Sequence, residues 1–182
     1  MPALASAQVV ADFDTYSIHR VGMMPFEGVA LSVDHAAALE QAFFTEISRS
    51  TPFELVALDA RDLEEVRASE PYRRGWYRPE TIIALSRRYS LDAILFPTAT
   101  QVQFFPPQKF SAQLDLVVAE TGLVIWSSAV HLDANDPHVR EGLEAYYGSV
   151  DEEWEGQQDW RVALLSPARF AQFAAYQVAL LL

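Results

Sequence analysis

The chain reads as an α/β fold, a single domain on a mixed sheet of about five strands in the order β-α-β-α-β-β-β, closed by a C-terminal helix. Three observations predict it. A strand, an amphipathic helix and a second strand fall within about forty residues, the signature of a right-handed βαβ unit with parallel strands. Two apolar runs flank Glu120-Thr121-Gly122, and the first of them alternates, the pattern of an antiparallel hairpin. The last stretch opens on Ser166-Pro167, a helix cap followed by proline at the first helical position.

Residues 1–16 show little periodicity and are expected to form a flexible N-terminal arm; residues 17–182 form the domain. Ser17–Phe26 is the first strand, with Ile18, Val21 and Met23 apolar and Pro25 stopping the ladder. "EGVALS" is a loop. Ser32 or Asp34 caps a helix from about Val33 to Ser50, whose Ala36, Leu39, Phe43 and Ile47 recur at helical spacing. Phe53–Leu58 is the second strand, and "ARDLEEVRA" a short helix or turn. A proline-bounded loop, Ser69–Glu80, leads to a second long helix from Pro79 to Tyr89. The two long helices are expected on one face of the sheet. Asp92–Phe105 is a third strand, interrupted near Pro97. In Phe110–Glu120, the residues Phe110, Ala112, Leu114, Leu116 and Val118 alternate with Ser111, Gln113, Asp115 and Val117. Gly122 is free to take positive φ in the turn before the fifth strand, "LVIWSSAVHLDA". From about 133 to 160 the chain turns acidic, with Tyr146, Tyr147, Trp154 and Trp160 interspersed, and reads as an excursion with partial helix.

Composition excludes several functions. The 182 residues are 51% apolar and 21% charged, which argues against extensive disorder. A net charge of −12 repels phosphate backbones, so general nucleic-acid binding is disfavoured. Without cysteine there are no disulfides, thiol chemistry or Cys-ligated zinc. No apolar run reaches the ~18 residues of a spanning helix. "ALASA" (Ala3–Ala7) has the small-residue character of a region near an export cleavage site.

Chemistry-bearing clusters are few. His131, Asp133, Asp136 and His138 fall within "HLDANDPH", a spacing that could hold a divalent metal, though a polar strand end running into an Asx-Pro turn explains it as well. Ser127 and Ser128 lie near His131 and Asp133 only along one strand, where residues four apart are about 13 Å distant, too far for a triad. There is no Gly-x-Ser-x-Gly elbow and no glycine-rich phosphate loop, so no catalytic residue, cofactor site or metal site is assigned. "YRRGWYRP" interleaves Tyr72, Trp76 and Tyr77 with Arg73, Arg74 and Arg78, residue types enriched at binding hot spots. These six are the candidate contact residues. A protein partner suits them better than nucleic acid because the chain is acidic. If the acidic 133–159 segment of a neighbouring copy meets this basic loop, head-to-tail rings follow.

Three phrases carry a family resemblance. "RVGMMPFEG" resembles the opening strand, ending in Pro-Phe, of CsgG-like and LpoB-like bacterial envelope lipoproteins and of the TolB amino-terminal domain. "LSRRYSLDAILFPTAT" resembles the family's helix and following strand, with Leu91, Asp92, Ala93, Ile94 and Leu95 on matching positions. "LDLVVAETGLVIWSS" resembles its hairpin at Glu120, Thr121, Gly122 and Trp126, with Ala119 where an aspartate is common. The resemblance spans about Arg20–His131 and lacks the apolar alternating insert of a membrane barrel. It implies a non-enzymatic accessory protein of the periplasm, acting in assembly, secretion or regulation through protein partners and self-association. It also implies outer-membrane anchoring through a lipidated cysteine upstream of residue 1. The other readings are a metal-dependent or hydrolytic enzyme using His131, Asp133 and His138, and a ligand or nucleic-acid module on the loop 72–79.

Overall fold

The computed structural model describes residues 4–29, 31–69, 77–150 and 160–182. Its strands are β1 (Ala5–Val9), β2 (Arg20–Met23), β3 (Glu27–Gly28), β4 (Glu54–Ala57), β5 (Ala93–Gln103), β6 (Lys109–Val118) and β7 (Val124–Asp133). Its helices are α1 (Val33–Ser50), α2 (Ala60–Ser69), α3 (Pro79–Tyr89), α4 (Pro137–Val150) and α5 (Pro167–Ala179), with short 3-10 turns at Phe13–Thr15 and Trp160–Leu164. One mixed sheet runs β1-β7-β6-β5-β2-β4, with β3 beside the far half of β5. Strands β4, β2 and β5 are parallel; β5, β6, β7 and β1 are antiparallel.

The sheet thus has seven strands where about five are expected. Both additions are short segments without a periodic signal. Ala5–Val9, placed by sequence in the arm, pairs antiparallel with β7. Glu27–Gly28, read as loop, rejoins the sheet after Pro25-Phe26 as β3. Pro97 does not interrupt β5. The backbone of Leu95 faces β2, since its carbonyl accepts from Met24, and that of Ala99 faces the β3 side, since its carbonyl accepts from Val29. By alternation, Pro97 faces the gap between β2 and β3, where no ladder donor is needed.

Helix α1 begins where its cap predicts: the Ser32 side chain accepts from the His35 N–H, an arrangement worth about 1 kcal/mol. Ser166 does the same for α5, accepting from the Arg169 N–H. The two long helices lie on opposite faces of the sheet, not on one. The reason is handedness. The crossover from β2 to β4 runs one way along the sheet, and that from β4 over β2 to β5 runs back. Two right-handed crossovers in opposite directions put their helices on opposite sides.

The larger core lies where α1, α4 and α5 cover one face, with Leu39, Phe43, Phe110, Leu116, Trp126, Phe170 and Phe173 buried. The smaller core, of Leu63, Val66, Ile82, Leu85, Ile94 and Phe96, lies beneath α2 and α3 on the other. The first half of the acidic segment is not an excursion. It forms α4, which buries Val139, Leu143, Tyr146 and Tyr147, while its acidic Glu141 and Glu144 stay exposed. Residues 151–159 lie outside those described.

Two buried carboxylates join the helices. Glu46, 1% exposed, accepts from Arg49 at 2.6 Å, Tyr146 at 3.2 Å and Gln172 at 3.2 Å, linking α1, α4 and α5. Asp62 accepts from Arg88, Tyr89 and the Asp59 N–H, tying α2 to α3. Burial, and then the adjacent Glu46 carboxylate, push the Tyr146 phenol well above its ordinary pKa. The unfolded chain releases this proton near pH 10 while the folded chain retains it. Stability from this group is therefore complete below about pH 10 and lost as pH rises toward the folded value. Tyr146→Phe is expected to flatten part of the alkaline loss seen in urea midpoints between neutrality and about pH 11. An alkaline limb identical to wild type counts against the burial.

Candidate functional site

Helices α2 and α3 cover only part of their face. Beyond them β6 and β7 present a polar surface. Strand alternation puts Ser111, Gln113 and Asp115 of β6 on this side, paired with His131, Ala129 and Ser127 of β7. The side chains bridge the strands. Ser111 Oγ lies 2.5 Å from His131 Nδ1 and 3.4 Å from Gln101 Oε1. Ser127 Oγ donates to Asp115 at 2.7 Å, and Gln113 donates to the same oxygen at 3.0 Å. A shallow depression of about 630 Å³ lies over Thr100, Gln101, Ser111, Gln113 and His131.

Of the candidate contact residues, Tyr77 and Arg78 can be placed, at the covered end of this face. Tyr72, Arg73, Arg74 and Trp76 lie outside the described residues. Arg78 is exposed at the N-cap of α3. Tyr77 is not a surface contact: it is 4% exposed, its ring stacks on Phe96 at 4.3 Å, and its hydroxyl donates to Asp115 at 3.2 Å. It fastens the end of the loop to the sheet. The Ala119–Gly122 turn packs nearby. Gly122 has φ +70°, and a Cβ there would stand 3.0 Å from Pro79 Cα, so both conformation and space call for glycine.

The metal reading meets a different geometry. Asp133 is held by Lys109 at 2.6 Å and by the Asn135 N–H, which together keep its carboxyl below the usual range. Asp136 accepts from the His138 N–H at the start of α4, and His138 lies 3.6 Å from Glu141. Among the described residues no three His, Asp or Glu side chains gather to hold a metal ion. Ser111, opposite His131, is the neighbour that sequence spacing did not reveal; only strand register brings the two together.

A second concavity, of about 400 Å³, opens at the C-terminal ends of β2 and β4. Met23, Met24, Pro25, Ala57 and Leu58 line it from the strands; Ala37, Glu40, Gln41 and Phe44 face it from α1. Glu40 accepts from the Phe26 N–H, which fixes the bend after Pro25. The lining is largely apolar and sits beside edge strand β4. Among the described residues, no helix is long and apolar enough to cross a membrane.

No protein-family model and no curated protein sequence matches the chain. Among solved structures, a variant PelC dodecamer from Paraburkholderia phytofirmans aligns over 96% of this chain and 94% of its own, with 8% identity and TM-score 0.55. Lipoprotein GNA1162 from Neisseria meningitidis aligns over 76% of this chain and 99% of its own, with 16% identity and TM-score 0.46. The LpoB C-terminal domain from Escherichia coli aligns over 64% and 84%, with 16% identity and TM-score 0.42. At 8% identity the likeness to the PelC dodecamer is one of fold, and it runs along nearly the whole of both chains.

Proposed function

We propose that the chain is a non-enzymatic accessory protein of the bacterial envelope that works in the periplasm by binding protein partners and by self-association. The observation that carries this reading is the fold it shares, end to end, with a protein that forms a dodecamer. The sequence phrases "RVGMMPFEG", "LSRRYSLDAILFPTAT" and "LDLVVAETGLVIWSS" support it independently; the CsgG-like and secretion aspects rest on those phrases alone. The polar sheet face is consistent with it, since its side chains are satisfied by one another and not arranged around a reacting atom. The proposed partner contacts are Tyr72, Arg73, Arg74, Trp76 and Arg78, the sequence neighbours of the buried Tyr77.

The test is to express the full gene and fractionate the cells, then weigh the purified protein by light scattering. The expected result is recovery with the periplasm or outer membrane, and a mass of several chains. A cytosolic protein that stays monomeric at high concentration overturns the reading.

A further inference from the structure

The sheet is open at both ends. Among the described residues nothing pairs with the outer side of β1 or of β4. Exposed strand edges are templates for another chain, and proteins that stay monomeric blunt them with charge, proline or a bulge. Neither edge strand carries a proline or a bulge. Strand β1 reads Ala-Ser-Ala-Gln-Val, uncharged, without proline, and exposed along four of its five residues. The only charge on β4, Glu54, is already paired with Arg20 of β2. On a chain of net charge −12, these are two lines along which a second copy could approach without opposing charge.

The backbone geometry of the two edges is complementary. The Val10 N–H donates to Ile125 at 3.0 Å, so by alternation Gln8 and Ser6 face β7 while Val9, Ala7 and Ala5 turn their backbone groups outward. On β4 the Glu54 N–H donates to His19 at 2.7 Å and that of Leu58 to Met23 at 2.9 Å, which leaves Leu55 and Ala57 facing outward. Strand β1 runs opposite to β4 within one sheet, so copies related by rotation about an axis along the strands bring them together antiparallel. Ala5 belongs to the α5-covered side of the sheet, and by alternation so do Ala7 and Val9. The cleft lined by Phe44, Met23 and Ala57 opens on the matching side of β4, and Val9, 53% exposed, has the size and character to enter it.

We propose that β1 of one copy adds antiparallel to β4 of the next, with Val9 seated in the cleft beside α1, so that the sheet continues from chain to chain. Such a contact joins two different surfaces and is therefore head-to-tail: it closes into a ring if the rotation per copy divides a full turn. This rests on the self-association reading above and names the surfaces that perform it.

The test uses Ala7→Pro and Ala57→Pro. Each replaces an outward N–H, so the ring of proline occupies the open edge while the internal ladder to β7 or β2 keeps its bonds. Ala7→Lys and Ala57→Lys, at exposed positions, serve where a proline variant does not fold, as judged by circular dichroism. Masses are read by light scattering across concentration. The expected result is a multi-chain wild type and single-chain variants. An equal mixture of the two variants, which keeps one β1 edge and one β4 edge intact, is expected to form a particle of about two chains that grows no further. If the folded variants keep the wild-type mass, self-association uses another surface: the edge proposal fails and the functional reading stands. If Ala57→Pro alone forms a dimer, β1 pairs with itself and the head-to-tail proposal fails. A wild type that is monomeric throughout removes both.

Discussion

Trp126→Ala is expected to be among the most damaging single changes, lowering stability by about 4 kcal/mol and the melting temperature by about 10 °C. Trp126 is the largest of the fully buried side chains, 1% exposed, and it faces the larger core from β7. Its indole N–H donates to the Leu181 carbonyl at 2.9 Å, just past the end of α5. Truncation removes the apolar contact and leaves a cavity that close-packed neighbours refill only in part. It also strips the donor from a carbonyl at the chain's end. Trp126→Phe separates the two effects: it keeps most of the ring volume and loses the hydrogen bond, at an expected cost nearer 1–2 kcal/mol. Urea unfolding at constant m-value reads both. A loss below about 1 kcal/mol for the alanine variant would mean that the C-terminal helix is not seated on β7 as described.

Arg49→Ala is the second, with an expected loss of about 2 kcal/mol. Glu46 is buried, and among the described residues Arg49 is its cationic partner, at 2.6 Å, with Tyr146 and Gln172 supplying neutral donors. Removing Arg49 leaves a desolvated carboxylate dependent on those two hydrogen bonds. Full burial of the pair would raise the cost, but the Arg49 side chain is 55% exposed, so water already screens the pair. The cost largely disappears when the carboxylate itself is removed. Glu46→Leu combined with Tyr146→Phe and Gln172→Leu takes out acceptor and donors together and is expected within about 1 kcal/mol of wild type. If the single arginine variant is no less stable than this triple variant, the buried cluster does not carry the cost assigned to it.

Local signals were enough for much of the fold. Helices α1 and α3 start and stop where Ser32, Pro79 and the apolar spacing place them, because caps and amphipathic periods act within a few residues. The α/β class, the mixed sheet and the C-terminal helix follow in the same way from alternation and turn chemistry. The candidate loop was legible as composition alone. Tyr77 turns inward because Phe96 and Asp115, distant in sequence, offer a stacking surface and an acceptor.

What sequence by itself determined is therefore element type, approximate order, the hairpin around Gly122 and the uncharged character of Ala5–Val9. Tertiary structure alone decided the number of strands, since β1 and β3 have no pattern until β7 and β5 offer a partner. It decided the faces of α1 and α3, which depend on strand order through the handedness of crossovers. It also decided the register of the long hairpin. Counting back evenly from the turn would set His131 opposite Phe110; the irregularity between Leu116 and Val117 shifts the pairing by one and sets it opposite Ser111. A one-residue slip changes which face a side chain occupies, so the polar surface of β6 and β7 could be assembled only by the folded sheet.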